Sequence, residues 1–292
     1  MRSFACVLLL VLASGASAKE KMLPLPESAA AGLAGKTLVV TRHAKPSFVA
    51  MTAGKAMFAL VGAAAMISAG NKIVADNAIA DPADILEREL APALARHYGM
   101  TLQPSANRTV TEVKPAKIAA TQFGTDFILD IRSGGWMFVY YPTDWNSYWA
   151  AYSAQVQLID ARSGAVVSTL ACNTGTNKHP NSPSREAMLA NGAALLKDMT
   201  QGFGWNCTQL LAKEQFHLAE TEVTPTPPEF RDVLASFAAN KAGTPAAAAS
   251  SASLVDASPA VEAPAPVAAQ PSVEAPATAA APTEAAAGSA TP

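Results

Sequence analysis

The stretch DFILDIRSGGWMFVYYPTDWNSYWAAYSAQVQLIDARSGAVVSTLAC, residues 126–172, decides the fold of this chain. It is rich in β-branched and aromatic residues and interrupted by short turn sequences, which is the pattern of three consecutive antiparallel strands. The segment DARSG predicts a tight turn, because aspartate can cap its own turn and glycine can take a positive φ. The strands are predicted at residues 127–141 with a bulge at Gly134-Gly135, at residues 148–159 and at residues 165–171.

Elements on either side of this meander complete the predicted fold. The β-branched run KTLVVT at residues 36–41 predicts an N-terminal strand. Asp81-Pro82 and Ser182-Pro183 each predict the start of a helix, since a capping side chain followed by proline is typical of a first helical turn. Apolar spacing extends these helices over residues 81–98 and 183–203. We therefore expect an α+β fold, in which a mostly antiparallel sheet of the meander plus the N-terminal strand packs on two main helices.

The two ends of the chain differ from its middle in composition. Arg2, an apolar run at residues 5–13 and the small residues Ala16-Ser17-Ala18 are typical of a secretory signal peptide, with cleavage expected after Ala18. No cysteine stands where lipid attachment needs one, so we expect an exported periplasmic or envelope protein that is not acylated. The predicted parts are a signal peptide (1–18), a linker (19–35), one α+β domain (36–240) and a disordered Ala/Pro-rich tail (241–292).

Cysteine use and charge narrow the class of protein. Only Cys172 and Cys207 remain after signal cleavage, and in an oxidising compartment they predict a disulfide, with two buried free thiols as the alternative. The net charge is −2, and residues 19–240 carry no net charge, so no basic surface for nucleic acid is expected. No zinc-ligand spacing, Ser-His-Asp pattern, phosphate loop or dinucleotide fingerprint is present, and we expect neither metal nor cofactor.

The segment Phe48–Ile73 is almost wholly apolar and rich in glycine and alanine. Its length is close to that of a membrane-spanning helix, and small residues allow close helix approach in lipid. Three interpretations stay open: a buried helix or helical hairpin against the sheet, a helix used for self-association or membrane contact, and a spanning anchor.

The motif LVVTRHAKP at residues 38–46 resembles the first-strand Arg-His signature of the histidine phosphatase superfamily. The resemblance implies that His43 is a phosphorylated nucleophile and that Arg42 binds phosphate. The family also needs a second arginine and a second histidine. Here His97 is predicted on a helix, His179 in a loop and His217 in a late helical segment. The structural alternative is a polar pair at the end of a strand.

An aromatic tract lies between Trp136 and Tyr152. Aromatic side chains on a two-stranded ribbon can stack on sugar rings or contact a protein, and they can equally be cross-strand core pairs. Asp126, Asp130, Asp144 and Asp160 are interpreted as turn caps rather than as an acid–base pair. The candidate binding residues are Trp136, Tyr140, Tyr141, Trp145, Tyr148 and Trp149.

The order of strand, helix, meander and helix, together with the hairpin QVQLIDARSGAVV, resembles the periplasmic α/β domain of curli-secretion-channel lipoproteins, of the Tol-system N-terminal domain and of penicillin-binding-protein activators. It also resembles uncharacterised proteobacterial envelope proteins with a YYPTDW-like tract. The resemblance implies no catalytic residue. We expect a non-enzymatic envelope protein that binds a protein or polymer, self-associating or contacting membrane through residues 48–73. The alternatives are a histidine-phosphatase-like hydrolase using Arg42-His43, and glycan or cell-wall binding by the aromatic tract.

Overall fold

The computed structural model describes residues 22–52, 59–105, 109–121, 124–176 and 182–238. The predicted signal peptide, the predicted tail and His179 lie outside the described residues. The helices are α1 Glu27–Ala30, α2 Ala59–Asp76, α3 Ala83–His97, α4 Pro115–Ala119, α5 Arg185–Glu214 and α6 Pro228–Ala238, with a 3-10 turn at Glu220–Glu222. The strands are β1 Thr37–Thr41, β2 Phe48–Met51, β3 Thr101–Leu102, β4 Phe127–Tyr141, β5 Asp144–Asp160 and β6 Val166–Gly175.

The sheet has the strand order β3-β1-β4-β5-β6, and β2 pairs with the second half of β4. The predicted meander is confirmed, because β4, β5 and β6 pair antiparallel in sequence. The predicted α+β class is confirmed, but the sheet is mixed, since β1 and β2 both run parallel to β4. The reason is the connection: long segments containing helices separate β1 and β2 from β4, and such crossovers join parallel strands.

The main hydrophobic core lies on one face of the sheet, where α3 and α5 pack on β4, β5 and β6. Its side chains alternate along β5 as predicted, so Tyr152, Ala154, Val156 and Leu158 are all buried. A smaller cluster on the opposite face joins Val39, Ile128 and Ile159 to Ile118 of α4. Within the predicted linker, Leu25 and Leu33 are buried, and Leu23 pairs with Thr169 at the edge of β6.

The apolar segment 48–73, predicted as helical in all three interpretations, instead contains a strand and a helix. Residues 48–51 form β2 because Phe48 and Ala50 bury their side chains beside Trp136 and Phe138 of β4. The amide of Phe48 donates to Asn71 Oδ1 at 2.9 Å, and a Cβ on Gly70 would lie 1.9 Å from the Phe48 carbonyl oxygen. Helix α2 therefore covers the free edge of β2. No helix within the described ranges is long and apolar enough to cross a membrane.

The long helix α5 differs from its prediction in three ways. It begins at Arg185, with Ser184 as its N-cap, because the carbonyl of Pro183 accepts the Tyr148 amide and holds that residue in the preceding loop. It is interrupted at Ala190–Ala193, where three residues in a row have positive φ, and it continues beyond residue 203 to Glu214. His217, predicted as helical, lies after the helix with a φ of 52°.

The predicted disulfide is confirmed and joins Cys172 of β6 to Cys207 of α5, with the two Cα atoms 5.6 Å apart. Both cysteines are buried, so the bond crosses the core between the sheet and the helix. It is the covalent link between two elements separated by 35 residues.

Removing this link should destabilise the domain. We expect the double variant Cys172→Ala/Cys207→Ala to lower the free energy of unfolding by roughly 3 to 4 kcal/mol, because a 35-residue loop is no longer closed in the unfolded chain. Urea unfolding monitored by circular dichroism measures this difference. An equal midpoint and slope for the oxidised protein and the double variant would contradict it.

Two helices end in the same capping motif with different residues. After α3, Gly99 has a φ of 64° and the amide of Met100 donates to the Ala95 carbonyl. After α2, Ala78 has a φ of 50°, and the amide of Ile79 donates to the Val74 carbonyl. Both are Schellman motifs, but the second places alanine where glycine is favoured, which costs about 1 kcal/mol.

Replacing Ala78 by glycine should therefore stabilise the protein. We expect Ala78→Gly to raise the free energy of unfolding by about 0.5 to 1 kcal/mol, because the left-handed backbone no longer crowds a Cβ atom. The matched control is Ala64→Gly on the exposed side of α2, which should lower it by about 1 kcal/mol. Equal changes in the two variants would rule out the capping explanation.

Candidate functional site

A polar cleft of about 170 Å³ opens at the end of β1, between the β1–β2 loop and the first turns of α3. The chain reaches it through the TRHAK segment that follows β1 and through the DPAD segment that begins α3. Cationic side chains therefore line one wall and carboxylates line the other. The lining residues are Arg42, His43, Ala44, Lys45, Ala80, Asp81, Ala83, Asp84, Glu87, Ile131 and Ser133.

His43 belongs to a buried network centred on Asp130. The carboxylate of Asp130 is fully buried, and its Oδ1 accepts hydrogen bonds from Thr41 Oγ1 at 2.7 Å and from His43 Nε2 at 2.6 Å. Its Oδ2 lies 2.9 Å from Arg132 Nε in an ion pair without hydrogen-bond geometry. The guanidinium also donates to Gln155 Oε1 at 2.7 Å. Asp130, predicted as a turn cap, is therefore a mid-strand residue whose charge is compensated from both sides.

A second network lines the cleft on the helix-facing side of the sheet. Asp81 accepts hydrogen bonds from the amide of Ala83 at 3.0 Å and from the Ser133 hydroxyl, which also contacts Tyr152 Oη at 2.9 Å. Burial raises the pKa of Asp81 above its usual range, although the Ser133 hydrogen bond opposes this. Burial also raises the pKa of the Tyr152 hydroxyl strongly. Asp81 thus caps α3, as the sequence predicts, and fastens the helix to β4.

Arg42, Glu87 and Lys45 of the cleft also have partners. Arg42 is exposed and pairs with Glu87 at 3.3 Å, while burial raises the pKa of the Glu87 carboxyl against the opposing effect of Arg42. Lys45 donates to the Ile79 carbonyl at 3.1 Å and stands 5.7 Å above the ring of Trp136. These contacts hold the β1–β2 loop against α3 and the core.

The predicted phosphatase residues Arg42 and His43 thus lie at the cleft, each in contact with a carboxylate. Among the described residues, no second histidine lines it: His97 pairs with Glu222, and His217 contacts the carbonyl of Leu25. In the described ranges no group of three or more His, Cys, Asp or Glu side chains is placed to hold a metal ion.

Sequence reasoning missed Asp130, Arg132, Asp81 and Ser133 as members of these networks. A signal was present, because Asp130 and Arg132 alternate with apolar residues inside a strand, and a charge in mid-strand needs a partner when it is buried. The partner strand could not be identified from local spacing, since β1 lies far from β4 in the chain. Asp144 and Asp160 do cap turns as predicted, through Ser147 and Ser163.

The aromatic tract is divided between core and surface. Trp136 and Tyr148 are 1% and 6% exposed, and their rings contact Phe48 and Phe138 edge to face at centroid distances of 5.1 and 5.7 Å. These two predicted binding residues are thus core residues. Tyr140, Tyr141 and Trp149 are half-buried, and Trp145 is 60% exposed.

Trp145 stands at the outer end of the β4–β5 hairpin. At this end neither β2 nor β6 continues alongside the hairpin, because β2 stops opposite Val139 and β6 stops opposite Ala151. Among the described residues, Thr176 and Pro183 still form backbone hydrogen bonds with Ala150 and Tyr148 of β5. The indole Nε1 of Trp145 donates to the Pro142 carbonyl at 3.1 Å, which fixes the ring on the turn. The hairpin therefore presents a large, rigid and solvent-exposed aromatic surface.

Comparison with known proteins gives no family. No protein-family model matches the chain, and no curated protein matches it. The solved structures that match include three with low TM-scores. Lipoprotein GNA1162 from Neisseria meningitidis is 16% identical over 50% of this chain and 88% of its own, with a TM-score of 0.26. The PelC dodecamer from Paraburkholderia phytofirmans is 14% identical over 67% and 94%, with a TM-score of 0.25. The LpoB C-terminal domain from Salmonella enterica is 15% identical over 48% and 83%, with a TM-score of 0.18.

These scores carry neither a family nor a function to this chain. One of the three proteins is named as a lipoprotein, and that description belongs to that protein alone. No specific family follows from the comparison.

The Asp130 network should behave as one energetic unit. We expect Arg132→Met to lower the free energy of unfolding by about 3 kcal/mol, because it leaves the buried Asp130 carboxylate without its guanidinium partner. Combining it with Asp130→Asn should cost less than the sum of the two single changes. Urea unfolding measures all four members of this cycle.

The control is Arg88→Met, which breaks the exposed Arg88–Glu89 pair and should cost under about 1 kcal/mol. Additive effects in the cycle, or equal costs for the two arginine variants, would show that Asp130 does not depend on Arg132.

Proposed function

We propose that this protein is an exported, non-enzymatic component of the cell envelope, and that it binds another envelope component through the outer end of the β4–β5 hairpin. The observation that carries the proposal is the 60% exposure of Trp145 on a turn that holds its ring in place. Burying the exposed part of such a ring is worth roughly 3 kcal/mol, which is the size of an interface hot spot.

Export is supported by the disulfide and by the N-terminal sequence. The Cys172–Cys207 bond fits an oxidising compartment, and the predicted signal peptide would deliver the chain there with cleavage after Ala18. The composition of residues 19–240, without net charge, favours neither a nucleic acid nor a strongly charged partner.

A binding role is further supported by the contacts that the charged side chains of the cleft already make. Arg42, Lys45 and His43 all have partners within the domain, and each would have to leave a carboxylate or a carbonyl to bind a phosphate group. For His43 this costs several kcal/mol, because its partner Asp130 is buried, whereas the exposed Arg42 pair contributes little. The cleft is thus better suited to joining the β1–β2 loop, α3 and β4 than to binding an anion.

The phosphatase alternative keeps one supporting observation, which is that His43 and Arg42 line a cavity together. Its test is the hydrolysis of an aryl phosphate by the purified protein and by His43→Ala. Self-association or membrane contact through residues 48–73 is supported by the exposed side of α2, where Ile67 is 39% exposed. The rest of that segment contributes Phe48 and Ala50 to the core, and Ile73 packs against it.

The proposal predicts that Trp145 is needed for retention by the envelope. Purified protein is mixed with an envelope fraction, and the bound share is measured over a range of protein concentrations. We expect Trp145→Ala to raise the half-saturating concentration at least about tenfold, because a hot-spot truncation of about 2 kcal/mol weakens binding roughly 30-fold.

The matched control is Val113→Ala, since Val113 is also well exposed, at 57%, but lies outside the hairpin. It should bind as the unmodified protein does. Thermal unfolding of each variant, with the disulfide intact, shows that the fold is retained. Equal retention of Trp145→Ala and the unmodified protein would refute the proposed role of the hairpin.

A further inference from the structure

We infer that the ligand of the hairpin end is a neutral glycan strand, bound by stacking of sugar rings on Trp145 and by hydrogen bonds to the turn around it. This inference rests on the proposed function and names the chemical class of its partner. It is carried by three features of the turn: the way the ring is held, the polar groups at its edge and the near absence of charge.

The ring of Trp145 is held in a position where a sugar ring can stack on it. Its only polar atom, Nε1, already donates to the Pro142 carbonyl at 3.1 Å, so no ligand group is needed to satisfy it. The ring is nevertheless 60% exposed, which leaves an apolar surface in water. A fixed platform loses little conformational entropy on binding. The C–H face of a pyranose ring is the complementary surface for such a platform.

The groups around the ring are polar rather than apolar. Asn146, next to Trp145, is exposed, and its side-chain amide makes no hydrogen bond to another residue of the described chain. An amide can donate to one sugar hydroxyl and accept from another. In a protein–protein hot spot the aromatic anchor is instead surrounded by contacts that exclude water. A ring edged by a free amide suits a ligand with an apolar face and hydroxyls at its rim.

The charge of this surface excludes strongly charged polymers. Between residues 133 and 159 the only charged residue is Asp144. Its carboxylate accepts hydrogen bonds within the turn. Oδ2 accepts from Ser147 Oγ at 2.6 Å, and Oδ1 accepts from the backbone N–H of Asn146. Arg185 and Glu186 of α5, which act on the nearby Tyr148, have opposite charges. Among the described residues, an acidic polymer finds no cation on the turn itself, and the charge of Arg185 nearby is balanced by that of Glu186. A basic polymer finds a single engaged carboxylate.

A second aromatic residue favours a polymer over a single sugar. Trp149 is partly exposed on the same strand, four residues after Trp145, and the irregular pairing between Tyr140 and Tyr141 leaves residues 145–147 without partners on β4. Two aromatic side chains at one end of a hairpin can contact different sugar units of one chain. Binding to several units at once increases affinity without requiring strong contacts at either one.

The test uses the mature protein and two soluble probes of matched length: chitohexaose, which is neutral, and a hyaluronan hexasaccharide, which is acidic. Titrations are followed by the indole N–H signals in proton–nitrogen spectra, with Trp145→Phe identifying the signal of Trp145. We expect chitohexaose to shift that signal with a dissociation constant below about 1 mM and hyaluronan to bind at least about threefold more weakly.

The variants separate stacking from other contributions. Trp145→Ala should weaken chitohexaose binding at least about tenfold, and Trp145→Phe should recover part of it. Asn146→Ala should weaken it about fivefold, the effect of one hydrogen bond. The control Val113→Ala should bind normally.

The outcomes distinguish this inference from the proposal beneath it. Suppose that retention by the envelope depends on Trp145 but chitohexaose does not bind, or that protease treatment of the envelope abolishes retention. Either result would overturn the glycan as ligand and leave the binding role of the hairpin in place. Unchanged chitohexaose binding in Trp145→Ala would show that the glycan does not bind at Trp145. Retention unaffected by Trp145→Ala overturns both.

Discussion

The antiparallel pairing of β4 with β5 is the constraint on which the rest of the structure depends. The other strands of the described sheet are built on these two: β1 and β2 pair with β4, β6 pairs with β5, and β3 joins through β1. The helices follow the sheet, since α3 packs on β4 and α5 packs on β5 and β6. Because the same pairing continues beyond both neighbouring strands, it also supports the turn that carries Trp145.

A single bulge in β4 keeps apolar side chains on the core face along the whole length of this pairing. At Gly134 the register of β4 against β5 shifts by one residue, and a Cβ there would lie 2.8 Å from Ser153 Oγ. The shift changes which residues of β4 face the helices, from Leu129 and Ile131 before the bulge to Trp136 and Phe138 after it. An uninterrupted strand would turn one of these pairs out of the core. The bulge thus lets β1 and β2 follow each other along one edge of β4 while both bury apolar side chains.

Sequence reasoning predicted the parts of the fold that depend on nearby residues. The meander, the Asp160 turn and the Asp81 helix start are each encoded within a few positions, and the disulfide follows from a choice of only two cysteines. It could not predict β2, whose strand conformation depends on pairing with residues 136–139, far along the chain. Nor could it predict the interruption of α5, where tertiary packing holds Ala193 buried with a positive φ.

The candidate site was predictable only in part, for the same reason. Local spacing identified the aromatic tract but not which rings are exposed, because the division between Trp136 and Trp145 depends on where β2 ends. It identified His43 but not Asp130, its partner across two parallel strands.

The polar cleft and the end of the β4–β5 hairpin differ in the free energy that a ligand would lose by displacing existing contacts. In the cleft, a ligand must compete with the contacts that Arg42, His43 and Lys45 already make. Displacing His43 would remove a hydrogen-bond partner of the buried Asp130 carboxylate. At the hairpin end a ligand displaces only water from the ring, since the Trp145 side chain has no polar atom left to satisfy. The domain thus concentrates its charge compensation where the β1–β2 loop, α3 and β4 must be held together. Its exposed aromatic surface lies where no other part of the described sheet requires it, and this separation allows the turn to vary with the ligand while the fold is preserved.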